Sequence, residues 1–184
     1  MSNSTRILGI DPGSRVTGYG IIESDTGATR YVASGCLRVG DGAFAGRLRE
    51  IFLRIGDLVE EYAPTHVAIE QVFMHKNADS ALKLGQARAA AICATFSGNA
   101  SLYEYAPRQI KLAVVGGGGA QKYQVQHMVK AILALESLPV SDEADALAVA
   151  ICHAHSFRLR ADIATAGAPT RRGGGRSSWR KFAG

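Results

Sequence analysis

Four carboxylates and two lysines carry the chemistry within reach of this 184-residue sequence. Asp11 closes a run of strand-forming residues, "RILGID", and Glu70 closes a second apolar run within "HVAIEQ". Asp142 and Asp145 stand three apart at the start of a helical stretch, so they share one face. A carboxylate at the end of a buried strand needs a partner to offset its desolvation. If the two strands are adjacent and parallel, both acids emerge at the edge where open α/β sheets bind ligands. Four converging carboxylates cannot all ionise near neutral pH without cations, and hard oxygen ligands suit Mg²⁺ or Mn²⁺. Two such ions ~4 Å apart activate a water and stabilise the leaving oxygen in phosphodiester hydrolysis. The Asp142–Asp145 pair also has a plainer explanation, since acids in a first helical turn favour the helix dipole. Taken alone, the strand that ends in Asp11 and turns at Pro12 and Gly13 fits a metal site, an ATP phosphate site or a simple hairpin.

Lys111 and Lys122 flank a run of four glycines, residues 116 to 119. A cation there would hold a substrate phosphate or offset transition-state charge, although most lysines are merely solvated. The segment "GGGGAQKY" is not a phosphate loop, because it lacks the terminal glycine–lysine–serine/threonine. Phe73 and Met74 follow Glu70 where a loop should begin. Burial under the next helix is the usual fate of such residues; stacking on or wedging between bases is the functional alternative. Cys152, His153 and His155 in "CHAH" do not have the spacing of a standard zinc motif and are read as residues finishing a helix.

The elements that position these groups follow from periodicity. Residues 6–11, 16–24 and 29–38 read as three strands joined by hairpin-length turns. The glycines in "VTGYGII" mark a bulge or a close backbone approach. Phe44, Leu48, Ile51, Ile55, Leu58 and Tyr62 recur every three or four positions, as one face of a helix over 44–62. A strand ending on Glu70, a long Ala-rich helix over 77–96, a fifth strand in "SLYEYA" and a short helix from Pro107 come next. The small residues of the Ala-rich helix make it a candidate dimer surface. Further helices fit 121–135 and 142–156. This order predicts an α/β protein with a mixed five-stranded sheet covered by helices. Residues 1–157 are expected to form one domain, and 158–184 a basic Arg/Gly-rich tail that is disordered.

Charge is distributed accordingly. From Phe157 onward there are seven basic residues against one acid, whereas residues 1–156 carry 14 basic and 15 acidic side chains. The body is therefore no uniformly basic nucleic-acid binder, and any basic patch on it must be local. Three scattered cysteines exclude a disulfide framework. No apolar run reaches membrane length and none resembles a signal peptide, so a cytoplasmic protein is expected.

Four separated segments resemble one family. "LGIDPGSRVTGYG", "AIEQVFMHKNADSALKLGQAR", "RQIKLAVVG" with "QKYQVQHMV", and "DEADALAVAICHAH" are similar, in order, to the RuvC family of bacterial crossover junction endodeoxyribonucleases. The resemblance implies a ribonuclease H-like fold with helices on both faces of the sheet. It also implies a homodimer making two symmetric Mg²⁺-dependent nicks across a four-way junction, leaving 5′-phosphate and 3′-hydroxyl ends. It implies metal ligands at Asp11, Glu70, Asp142 and Asp145, with two Mg²⁺ per site that Mn²⁺ replaces. Lys111 and Lys122 are implied as basic catalytic residues, and Phe73 as the aromatic that stacks at the opened junction. Lys76, Lys83 and Arg88, on the loop and helix after Glu70, are further expected DNA contacts. The family's partners are the RuvA–RuvB branch-migration proteins. The run of four glycines and the long basic tail depart from the family pattern.

The expected function is thus a structure-selective nuclease of recombination and repair, with no membrane and no nucleotide cofactor. An actin-like ATPase or sugar kinase opens with a similar Asp–x–Gly hairpin but requires a second such domain, for which 184 residues leave no room. A module that binds junctions without cutting them has no use for acids beside phosphates.

Overall fold

A computed structural model describes residues 4–25, 28–72 and 77–166, with side chains to residue 160. Phe73, Lys76 and the tail from residue 167 lie outside the described residues. The chain runs β1 (Thr5–Asp11), β2 (Val16–Ser24), β3 (Thr29–Arg38), α1 (Phe44–Tyr62), β4 (His66–Glu70), α2 (Ala78–Thr95) and β5 (Ser101–Tyr105). It continues through α3 (Pro107–Val115), α4 (Lys122–Ile132) and α5 (Ser141–Ala166). No helix among the described residues is long and apolar enough to cross a membrane.

The five strands form one sheet in the order β3-β2-β1-β4-β5. β1 and β2, and β2 and β3, pair antiparallel as consecutive hairpins, whereas β1–β4 and β4–β5 are parallel. Each parallel pair needs a crossover, supplied by α1 and α2. Strand alternation separates two cores. Leu8 and Ile10 of β1 pack under α1 and α2 with Ile51, Ile55, Ala87 and Ala91. Ile7 faces the other side, with Ile110, Val125, Leu147 and Ile151 of the remaining helices.

α5 is the central helix. It lies on β1 and β2 and is covered in turn by α3 and α4, and Ala144, Ala146, Leu147, Ala148, Val149, Ala150 and Ile151 are all buried. The strand glycines explain how close it sits. A Cβ on Gly18 would overlap the Asp142 carbonyl, one on Gly9 the Ala146 carbonyl, and one on Gly20 would stand 2.6 Å from Leu147 Cδ2. Close approach is therefore the reason for the glycines of β2, and a separate bulge lies farther along, between Ile21 and Ile22.

α5 also departs from expectation at its other end. It continues ten residues past 156, so residues 158–166, expected from the sequence to belong to a disordered tail, are helical. Arg158 Nη2 explains part of this: it donates to Ser24 Oγ at 2.8 Å and to Thr29 Oγ1 at 2.9 Å, tying the helix to the β2–β3 hairpin. Consequently "CHAH" lies inside the helix rather than finishing it. His153 is buried, with Nε2 2.8 Å from His66 Nδ1 and Nδ1 2.7 Å from the Tyr105 hydroxyl. Burial, and then the neighbouring His66, push the His153 imidazole down to about 4, so it holds β4, β5 and α5 together as a neutral ring.

Candidate active site

Parallel pairing sets the first two acids side by side. Ile10 of β1 is in register with Ile69 of β4, so the next residues, Asp11 and Glu70, emerge together at the carboxyl ends of their strands. Odd-numbered Ile7, Gly9 and Asp11 point to the α5 side. The chain then leaves the edge through a closed turn. Thr17 Oγ1 donates to the Gly13 carbonyl at 3.0 Å, and Arg47 Nη1 of α1 donates to the Ser14 carbonyl at 2.7 Å.

Asp11, Glu70 and Asp145 line one cleft of about 290 Å³ together with Lys111, Lys122, Pro107, Ile110, Val125 and Val149. Lys111 comes from α3 and Lys122 is the first residue of α4, so the glycine run brings both lysines to one opening. Gly116 caps α3 in a left-handed conformation (φ 77°), and its N–H donates to the Leu112 carbonyl at 2.9 Å. Lys122 Nζ lies 3.2 Å from Asp145 Oδ2 and 3.4 Å from Ser141 Oγ.

The electrostatics are those of crowded acids. Burial, followed by the charges of Asp145, Glu70 and Asp142, pushes Asp11 up to about 8, while Lys122 opposes the rise. Burial and Asp145 also raise Glu70; Lys122, Lys111 and a hydrogen bond with Asp11 oppose this. Lys122 is held above its ordinary range, chiefly by Asp145. Asp142 does not line the cleft but acts on Asp11 through its charge. Among the described residues no three His, Cys, Asp or Glu side chains are already drawn into one ligand group. The donor set nevertheless fits hard divalent cations, being all carboxylate oxygen with more negative charge than it can hold ionised.

Of the other expected contacts, the two among the described residues, Lys83 and Arg88, do not line this cleft. Lys83 pairs with Asp79 one turn earlier in α2, at 2.6 Å. Arg88 is turned inward: Nε donates to the Glu70 carbonyl at 3.2 Å, and Nη2 lies 2.9 Å from Glu104 Oε2. In this structure Arg88 braces the ends of β4 and β5. Sequence reasoning passed over Ser141, which touches Lys122, and Glu143, which joins two elements beside Asp142. Their only signal was membership of the "SDEAD" turn.

The family model described as crossover junction endodeoxyribonuclease RuvC matches residues 7–153. The chain belongs to the RuvC family. The RuvC of Chromohalobacter salexigens is 51% identical over 180 residues, covering 98% of this chain and 96% of that one. The RuvC of Marinobacter nauticus is 53% identical over 167 residues, covering 91% and 95%. Thermus thermophilus RuvC, solved in complex with a Holliday junction substrate, matches with a TM-score of 0.79 and 31% identity over 85% of this chain and 96% of its own. Membership of the RuvC family accounts for the order of the four motifs and for the ribonuclease H-like sheet with helices on both faces.

Proposed function

We propose that this chain resolves four-way DNA junctions in recombination and repair by paired, metal-dependent nicks. The observation that carries the reading is Asp11 beside Glu70 at the edge of β1 and β4, facing Asp145 across a cleft with Lys111 and Lys122. Asp11, Glu70, Asp142 and Asp145 would hold two Mg²⁺ ions, for which Mn²⁺ substitutes, and Phe73 would stack on bases at the junction centre. Bound divalent ions supply an activated water and charge neutralisation at the leaving oxygen, giving 5′-phosphate and 3′-hydroxyl ends. Lys122, whose Nζ stands 3.2 Å from Asp145 Oδ2, would contact a substrate phosphate at the mouth of the cleft. Lys111, which lines the same cleft, would offset charge on the scissile group.

The reading includes a homodimer, each subunit cutting one strand with the two-fold symmetry of the junction. α2 supports it. The helix buries Ala87, Ala91 and Ala94 while exposing Leu82, Gly85, Ala89 and Cys93, with Phe96 just beyond, an outward stripe of small and apolar residues that lets a second copy approach. RuvA–RuvB would deliver the junction, in the cytoplasm of a bacterium. The test incubates the protein with a synthetic four-way junction and a linear duplex, each with Mg²⁺ or EDTA. Paired nicks confined to the junction and to Mg²⁺ are expected; equal cutting of the duplex, or cutting in EDTA, would refute the proposal.

The basic tail, bounded at residues 167–184 because α5 extends to Ala166, carries five cations and no acid. It is assigned nonspecific phosphate contacts. Removing residues 167–184 should lower the salt dependence of junction binding by about 0.9 in the log–log slope for each phosphate the tail neutralises. An unchanged slope would dismiss this role.

A further inference from the structure

Asp142 and Asp145 stand on the first two turns of α5, so whatever sets that end of the helix sets half of the acid cluster. Gly18 allows the Asp142 carbonyl to lie on β2, but close approach alone does not stop the helix from sliding or turning. Glu143 supplies that restraint. Val140 is the N-cap residue: its carbonyl accepts from Ala144 N at 2.9 Å. Glu143, three residues on, accepts from Val140 N with Oε2 at 3.2 Å, which is one half of a capping box. Its other oxygen, Oε1, accepts from Ser34 Oγ at 2.5 Å, across 109 residues of sequence. Ser34 lies on the edge strand β3, opposite Gly20 of β2, and Tyr31 Oη is 3.1 Å from its hydroxyl. One carboxylate therefore caps the helix and fastens it to the sheet.

Both oxygens of Glu143 are engaged, and they face a groove lined by Tyr31, Ser34, Pro139 and Val140 rather than the acid cleft. A fifth acid beside Asp142 worsens the crowding of negative charge, so its presence there calls for a geometric role. We propose that Glu143 is a positioning residue, which clamps the first turn of α5 to Ser34 and thereby sets Asp142 and Asp145 for divalent cations. The proposal rests on the assignment of those aspartates as metal ligands. It extends that assignment to a residue that does not line the acid cleft, in the way that partners behind a ligand orient it.

The experiment compares Glu143→Ala, Glu143→Gln and Ser34→Ala with the unaltered protein. Three readouts separate geometry from charge: the Mn²⁺-induced rise in Tm, the Mg²⁺ concentration for half-maximal nicking, and junction binding in EDTA. Glu143→Ala should raise the Mg²⁺ requirement about tenfold and shrink the Mn²⁺-induced Tm rise, without altering junction binding. Glu143→Gln keeps an acceptor for Val140 N and a partner for Ser34, and should stay within about twofold of the unaltered protein. Ser34→Ala should move in the same direction as Glu143→Ala, and the double variant should be no worse than Glu143→Ala alone. A normal metal response in Glu143→Ala, or equal damage in Glu143→Gln, would overturn the clamp. If the unaltered protein does not nick junctions, the nuclease reading fails by itself. The clamp is then decided by amide exchange at residues 143–146 of the metal-free protein, faster in Glu143→Ala if it exists and unchanged if it does not.

Discussion

Asp11→Asn is expected to abolish junction cleavage, by at least ~10³-fold, while leaving junction binding intact and making the metal-free protein more stable. The first effect follows from removing an oxygen of the proposed metal site at the centre of the acid cluster, where bound cations would contribute several kcal/mol. The gain in stability has its origin in the free protein. Asp11 is pushed from 3.8 up to about 8, by burial first and by Asp145, Glu70 and Asp142 after it. The folded state therefore keeps a proton that the unfolded chain has lost, and stability falls as pH rises across that window. Above about 8 the loss is complete, because both states are then ionised. Asparagine cannot ionise, so the variant lacks this slope. At pH 8 its metal-free Tm should exceed that of the unaltered protein by several degrees, a gain on the order of 2 kcal/mol, and the gap should close toward pH 4. Mg²⁺ or Mn²⁺ should raise the Tm of the unaltered protein more at pH 8 than at pH 6, since binding releases the proton. Cleavage by the variant at a normal rate, or parallel Tm–pH curves for the two proteins, would contradict the role assigned to Asp11.

Gly18→Ala should be the most damaging single methyl group added to this fold. Its Cβ would overlap the Asp142 carbonyl oxygen, stand 2.6 Å from the carbonyl carbon and 3.3 Å from Ala146 Cβ. These are mostly backbone atoms of a helix held between the sheet and α3 and α4, so no side chain can swing away. Relief requires α5 to lift, at a cost of about 3 kcal/mol, seen as a Tm lower by roughly 6–12 °C. Cleavage should fall further than the folded fraction does, by about 100-fold, because a shift near 1 Å misplaces Asp142 and Asp145. Gly117→Ala provides the contrast. Nothing lies within 4 Å of a Cβ there, and its effect should stay within about 0.5 kcal/mol. A Gly18→Ala protein as stable and active as Gly117→Ala would show that α5 does not need the glycine track.

The features behind these effects left unequal traces in the chain. The strand ends were plain, because a continuous apolar run that stops on Asp11 or Glu70 announces both the strand and the unusual acid. So was the inward face of α1, through its three-and-four spacing. The extent of α5 was not. Its last ten residues have little apolar periodicity, and the partners of Arg158, Thr29 and Ser24, stand 129 and 134 residues away. The inward turn of Arg88 toward Glu104 was equally hidden, since an exposed and a braced arginine look alike in sequence.

What the sequence determined by itself was local chemistry: which residues form strands and helices, and which acids and lysines stand at their ends. Order along the chain and residue type suffice for that, because hydrophobic period and turn residues act over a few positions. Tertiary structure decided which of these groups meet. The Ile10–Ile69 register puts Asp11 beside Glu70, the Gly9–Gly18–Gly20 track seats α5, and one hydrogen bond ties Glu143 to Ser34. Each joins residues distant in sequence, and their proximity exists only once the sheet has formed and α5 has packed on it. The crowding that drives Asp11 up to about 8 is likewise a property of the assembled edge, and of no single segment.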